Sequence, residues 1–347
     1  MKKVRVAIID DSIVFRTFLR QILMQGRDIE VVGVFADPVE AMDEIPKIRP
    51  DVIAVDMEMP KLRGDEFLKA VLPKNPNVRA IVISAASGSV FDAMRAGAVD
   101  FVGKPNSQPG YANDDFRDDI IGKVMAAASA KSPFPAQPPV PAQKPAAGSP
   151  AAGLLKVTDK NIVAIGGSTG GTEAIIQVIR EFPADMPGTL VVIHMPPGFT
   201  NMYAARADRS CQMSVREAKN RDRIRRGQIL VAPGGNEQMR VVADGGGYYV
   251  ELAEAPKVSG HCPSVDVLFE SVAEAAGKNA VGVILTGMGA DGAKNLKKMR
   301  DSGAHTIGQD EESCVVYGMP KVAYDIGGVS EQLPLKSIGA AVVRRFT

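Results

Sequence analysis

Three side chains in the C-terminal half have the types and the placement for acyl transfer. Ser168 lies in Gly166-Gly167-Ser168-Thr169-Gly170-Gly171, after the apolar run Asn161-Ile162-Val163-Ala164-Ile165. His194 closes a second apolar run, Thr189 to Ile193, and Asp291 lies in Thr286-Gly287-Met288-Gly289-Ala290-Asp291-Gly292 after a third, Ala280 to Leu285. A serine hydroxyl needs a base to take its proton, and the base needs a carboxylate to fix its tautomer. If the three runs are strands of one parallel sheet, all three residues lie beyond its carboxyl edge. The backbone N–H groups of Thr169 and Met288, in the two glycine-rich turns, are the candidate oxyanion donors.

A glycine-rich turn between strand and helix also suits a phosphate, because the helix end offers unpaired N–H groups. A dinucleotide site wants an acidic residue at the end of the next strand, where this chain has His194. A P-loop wants a lysine after its last glycine, which is absent here. The pair His261-Cys262 offers a thiol beside a base, but adjacent residues on an extended chain point opposite ways. His305 opens a strand and is expected to be structural. The basic residues Arg221, Arg223, Arg225 and Arg226 are expected on a solvated surface, with a docking face for an acidic helical partner as the sharper reading.

A second set stands near the N-terminus. Asp10 and Asp11 end the apolar run Val4 to Ile9, Asp56 ends Val52 to Val55, Ser84 ends Ala80 to Ile83, and Lys104 follows Val99 to Val102. Any one aspartate at such a place can be a helix cap. Together at one sheet edge, three carboxylates repel and call for a hard divalent cation such as Mg²⁺, with Lys104 as a fixed charge. A carboxylate in that setting can attack a phosphoryl donor and become an aspartyl phosphate.

The elements that must carry these residues follow from hydrophobic patterning. The first half alternates five strands, Ile29 to Phe35 being the remaining one, with helical segments, which makes a βα parallel sheet. Ser12 is placed to cap a helix bearing Val14, Phe18, Leu19, Ile22 and Leu23. In the second half a helix is expected over Thr172 to Arg180 with Thr172 near its cap, and others over Phe199 to Ala207 and Ser264 to Ala276. Ile229 to Ala232 is a further strand. Gln238 to Val242 and Tyr248 to Leu252, separated by Gly245-Gly246-Gly247, form a hairpin. Between the halves, residues 131–156 are rich in proline and alanine and read as a semi-extended tether with Phe134 its only aromatic residue.

The chain has 347 residues, a length for two domains, and a net charge of +1, which provides no global field for nucleic acid. Three cysteines do not make a disulfide framework and fit a reducing compartment. The N-terminus enters a strand at once, and no apolar run reaches membrane-spanning length. The expectation is a cytoplasmic protein with no membrane insertion.

Ile9-Asp10-Asp11-Ser12, Val55-Asp56 with Met59-Pro60, Ser84, and Phe101 to Lys104-Pro105 resemble a response-regulator receiver domain over about residues 1–124. The resemblance implies a flavodoxin-like fold phosphorylated on Asp56 by a histidine kinase. It implies Mg²⁺ held by Asp11, Asp56 and the carbonyl of Glu58 with Asp10 assisting, Ser84 and Phe101 as a switch pair, and Lys104 as the active-site lysine. Where many receivers carry Asp-Gly after Met-Pro, this chain has Arg63-Gly64.

The second half resembles the chemotaxis protein-glutamate methylesterases. The matching stretches are Gly167 to Gly171, His194-Met195-Pro196-Pro197-Gly198-Phe199-Thr200, Pro263-Ser264-Val265-Asp266, Leu285 to Gly292 and Tyr317-Gly318-Met319-Pro320, with Cys262 in place of an expected arginine. The resemblance implies a doubly wound α/β domain over 157–347, a Ser168, His194, Asp291 triad that needs no cofactor, and deamidation of glutamine beside ester hydrolysis. The substrate implied is the cytoplasmic part of a methyl-accepting chemoreceptor. The organisation expected is a receiver over 1–124, a linker over 125–156 and a monomeric enzyme whose receiver hinders the esterase site until phosphorylated. A binding protein with a decayed esterase and a nucleotide-binding regulator are the competing classes.

Overall fold

In the computed structural model the described residues are 2–85, 90–105, 113–131, 158 and 160–347. The chain divides into two compact units, Met1–Pro139 and Val140–Thr347. The expected tether, including Phe134, lies outside the described residues apart from Lys131. Among the described residues no helix is long and apolar enough to cross a membrane.

The first unit runs β1 (Val4–Ile9), α1 (Ile13–Leu23), β2 (Ile29–Phe35), α2 (Pro38–Ile48), β3 (Val52–Asp56), α3 (Gly64–Val71), β4 (Arg79–Ser84), α4 (Val90–Arg95), β5 (Asp100–Gly103) and α5 (Asn113–Ser129). Its five strands form one parallel sheet in the order β2-β1-β3-β4-β5. β3 is buried throughout, as a parallel strand covered on both faces must be. Register fixes the acidic site: Ile9 pairs with Val55, which brings Asp10 beside Asp56, and Ser84 pairs with Gly103, which brings Lys104 alongside.

Two expectations need correction. Val14 is 77% exposed, as is its neighbour Ile13 at 70%, so the first turn of α1 faces solvent; the buried stripe is Leu19, Ile22 and Leu23. The helix α5 continues through Ser129, past the expected receiver end at 124, with Ala126, Ala127 and Ala130 buried. Alanine there is a helix former covering the sheet, not the start of the tether.

The second unit runs β6 (Ile162–Gly167), α6 (Gly171–Ile179), β7 (Gly188–Ile193), α7 (Phe199–Asp208), β8 (Ser214–Glu217), β9 (Gln228–Val231), β10 (Glu237–Asp244), β11 (Gly247–Glu254), α8 (Val265–Ala275), β12 (Ala280–Ile284), α9 (Ala293–Asp301), β13 (His305–Gln309), α10 (Met319–Asp325), β14 (Glu331–Leu333) and α11 (Leu335–Arg344). A seven-stranded sheet has the order β14-β13-β12-β6-β7-β9-β8, with every pairing parallel. The chain leaves β6 toward β7 on one side and returns by way of β12 on the other. That reversal opens a crevice at the carboxyl ends of β6 and β12, where an open α/β sheet takes its ligand. β10 and β11 pair antiparallel as the expected hairpin, with Met239, Val241 and Val250 packed in the core that includes Leu268 and Val272 of α8. Short polar strands β8 and β14, at the two edges, offer no apolar run to read in the sequence.

Candidate active site

Register also assembles the second site. Gly167 pairs with Ile193, so the next residues, Ser168 and His194, leave adjacent strands side by side. The turn at Ser168 is held by its N–H, which donates to the Thr286 carbonyl at 3.0 Å, on the far side of the crevice. Gly170 takes φ +76° as the N-cap of α6, a conformation that costs a glycine nothing. Gly287 lets the two turns meet, since a Cβ there would lie 2.8 Å from Ser168 Cβ. Thr172 lies near that cap as expected, inside the first turn and buried, and its Oγ1 finds no partner among the described residues.

Ser168 Oγ lies 3.1 Å from His194 Nδ1, and His194 Nε2 lies 2.8 Å from Asp291 Oδ2. Both the His194 and Asp291 side chains are almost wholly buried, at 7% and 1% exposure. An ionised carboxylate only accepts, so Nε2 must carry the proton and Nδ1 must present its lone pair to the serine. The ring is turned relative to the common serine-protease arrangement, in which Nε2 faces the serine.

Asp291 is held by the start of α8. Ser264 Oγ donates to Oδ1 at 2.6 Å, Val265 N–H to Oδ2 at 2.7 Å and Asp266 N–H to Oδ1 at 3.0 Å. A helix N-terminus is a natural place for a carboxylate. Burial pushes Asp291 up, but the hydrogen bond and charge of His194, with the donors at Ser264 and Asp266, outweigh it and hold the carboxyl below its ordinary range. Asp266 moves the other way, raised by burial and by the charge of Asp291. Among the described residues the N–H groups of Thr169 and Met288 have no acceptor in the fold, and Gly318 and Met319 both donate to the Gly287 carbonyl to shape the Met288 loop.

Two neighbours lie beyond sequence reasoning. Ser264 is readable as a cap before an apolar run, but its bond to Asp291 depends on how α8 packs. His261 stacks flat on His194, with ring centroids 3.6 Å apart and planes within 10°. Cys262 beside it is half-buried, and burial pushes its thiol up to about 11, the wrong direction for a nucleophile. His305 pairs with Glu331 at 3.2 Å, the structural role expected. Arg221 and Arg223 lie over the ring of Tyr249 at 4.7 and 5.8 Å, and Arg223 also pairs with Asp244 at 2.8 Å.

In the first unit Lys104 Nζ bridges Asp10 at 2.9 Å and Asp56 at 2.8 Å. Carboxylate oxygens of Asp10, Asp11 and Asp56 all lie within 4.8 Å of one another, a hard-donor set that fits a divalent cation. Burial raises Asp56; Lys104 draws it back only in part, and Asp10 adds to the rise. Lys104 is itself raised, because its bonds to Asp56 and Asp10 outweigh the burial that disfavours its charge. Glu58 is exposed, and its N–H bonds to the Asp56 carboxylate. Ser84 is fully buried and its carbonyl accepts from the Lys104 N–H at 2.9 Å. Phe101 is 1% exposed and packs edge-on against Phe91. Buried Lys123 donates to the Phe101 carbonyl at 2.7 Å. Arg63 caps α3, and Gly64 is needed because a Cβ would meet the Asp56 carbonyl oxygen at 2.5 Å.

The chain as a whole is similar to known proteins. Residues 163–342 match the family described as CheB methylesterase, and residues 6–110 match the response regulator receiver domain. A protein-glutamate methylesterase/protein-glutamine glutaminase of Syntrophomonas wolfei is 47% identical over 99% of this chain and 98% of its own length. One of Syntrophotalea carbinolica is 45% identical over 99% and 97%. The crystal structure of the Thermotoga maritima CheB methylesterase catalytic domain is 35% identical and superposes with a TM-score of 0.52 over 53% of this chain and 98% of that one. With a receiver sheet ahead of a parallel-sheet unit that carries the Ser168 crevice, the chain belongs to the CheB methylesterase family.

Proposed function

We propose that the protein hydrolyses glutamate methyl esters on chemoreceptor signalling helices, and deamidates glutamine there, as the adaptation enzyme of a chemotaxis pathway. The observation that carries this is the unbroken line from Ser168 through His194 to Asp291 at the topological switch point. Ser168 Oγ attacks the ester carbonyl carbon while its proton passes to His194 Nδ1. The new oxyanion is received by the N–H groups of Thr169 and Met288. His194 then gives the proton to departing methoxide, which is too basic to leave unprotonated. Water repeats the cycle on the acyl-enzyme, giving glutamate and free Ser168. A glutamine side chain follows the same path with ammonia leaving.

Asp56 is the residue we assign to phosphorylation by a histidine kinase. Asp10, Asp11 and Asp56, with the Glu58 carbonyl, would hold Mg²⁺, which when bound offsets charge on the phosphoryl group. Lys104 adds a fixed positive charge, and Ser84 and Phe101 are the proposed switch pair. We take the receiver to end with α5, residues beyond it to about 156 to be the tether, and 157–347 to be the catalytic domain. Phosphorylation of the receiver raises the esterase rate. The free cysteines fit a cytoplasmic enzyme, which we take to act as a monomer on its receptor. The test is methanol release from methyl-labelled receptor membranes with and without a small phosphodonor. Release that rises with the donor supports this reading, and no release in either condition removes it.

A further inference from the structure

We propose that His261 is a positioning residue for His194, its flat ring holding the catalytic imidazole in the plane it shares with Ser168 and Asp291. This rests on the esterase reading above. The two hydrogen bonds of His194 leave from Nδ1 and Nε2, on opposite sides of the ring. They fix where the ring's edges point. They do not by themselves stop the ring from rocking about the line that joins Ser168 Oγ to Asp291 Oδ2. A planar neighbour on the ring face does stop it, and His261 lies there at 3.6 Å with its plane within 10°.

His261 is held well enough to serve. It pairs with Val258 through two backbone hydrogen bonds, at 3.0 and 2.9 Å. The two residues between them, Ser259 and Gly260, have φ +54° and +86°, the conformation of a tight two-residue hairpin turn. The buried amide of Gln238, on β10, donates to the His261 carbonyl at 3.1 Å and accepts from the Ser264 N–H at 2.8 Å. Ser264 in turn donates to Asp291. One clamped segment therefore presents a ring to the face of His194 and a hydroxyl to the carboxylate at its edge. The face contact and the edge contact are set by the same backbone, so the triad is aligned before substrate arrives. Ordering of this kind acts on the chemical step more than on binding, since misplacing a catalytic group lowers the fraction of productive geometry.

The experiment uses the full chain with His261→Ala, His261→Leu and His261→Phe. Leucine fills the space without a flat face, and phenylalanine keeps the face without ring nitrogens. The readouts are the rate at which a fluorophosphonate labels Ser168, and kcat and KM for methanol release, with thermal unfolding to show that each variant is folded. The expected result is a loss of about tenfold or more in labelling rate and kcat for the alanine and leucine variants, with KM within about twofold. The phenylalanine variant stays within about threefold of wild type. Alanine and leucine variants that match wild type would overturn the proposal. So would a phenylalanine variant as impaired as alanine, or a loss confined to KM, which would make His261 a substrate contact. A wild-type chain that neither labels at Ser168 nor releases methanol would remove the esterase reading and this proposal with it; normal wild-type rates with unaffected variants would remove this proposal alone.

Discussion

The Asp291 carboxylate accepts from His194 Nε2 at 2.8 Å while Ser264 Oγ and the first N–H groups of α8 fill its remaining positions. Every donor around it favours the ionised form. It therefore orients His194 in one tautomer without taking the proton itself.

Replacing it tests that directly. In Asp291→Asn the amide N–H₂ can face Nε2, which must then accept, and the ring proton moves to Nδ1, where Ser168 needs a lone pair. We expect kcat to fall about 10³- to 10⁴-fold with the fold retained. The pH sign follows from the lowered carboxyl. Its stabilising contribution is fully present above the unfolded value near 3.8 and is lost as pH falls through the still lower folded value. Asp291 thus stays charged above the ordinary carboxylate range, and the acid limb of a rate profile measured there should not come from it.

Cys262 gives a second prediction. Raised from 9.0 to about 11, its thiol holds roughly a hundredfold less thiolate near pH 8 than an unperturbed cysteine. Iodoacetamide at pH 8 should modify it slowly, and the rate should climb with pH toward 11; peptide mass spectrometry follows it. Rapid alkylation at pH 8, or loss of activity in Cys262→Ser, would restore the thiol as a working group.

The acidic site predicts a cation effect. Asp56 is raised, so its ionised form opposes folding, and that cost grows as pH rises through its folded value. Mg²⁺ should raise the unfolding temperature of the receiver at pH 7, and Asp11→Asn should remove most of that shift. Asp56→Asn, or a chelator, should abolish incorporation of label from a small phosphodonor. Label that persists on the substituted chain would place the phosphoryl group elsewhere.

Residues 157–347 expressed alone should outpace the unphosphorylated full chain on receptor membranes and ignore phosphodonor. A difference of about a hundredfold in rate would correspond to roughly 3 kcal/mol. A fragment slower than the intact unphosphorylated protein would mean that the receiver assists catalysis and does not hinder it.

Much of the fold and of both sites is legible in the amino-acid sequence. Apolar runs ending in Asp10, Asp56, Ser168 and His194 announce both parallel sheets, because buried strands must be apolar on both faces and their ends carry what chemistry there is. The hairpin is legible from its three glycines. What escapes depends on packing that no spacing encodes. Thr172 places the start of α6 to within two residues, but that the cap itself is Gly170, in left-handed backbone, follows from the shape of the crevice. The stacking of His261 on His194 joins residues from separate loops, and neither shows a period or a partner in sequence. Alanines after residue 124 read as linker because alanine between prolines builds no core, whereas in α5 they face the sheet.

Whether Ser168 is the nucleophile of an esterase is decided by methanol release from methyl-labelled receptor membranes, compared between wild type and Ser168→Ala. Wild type should release methanol steadily, and the variant should lose several orders of magnitude in rate with an unchanged unfolding temperature. A folded Ser168→Ala protein that released methanol at near wild-type rate would contradict it.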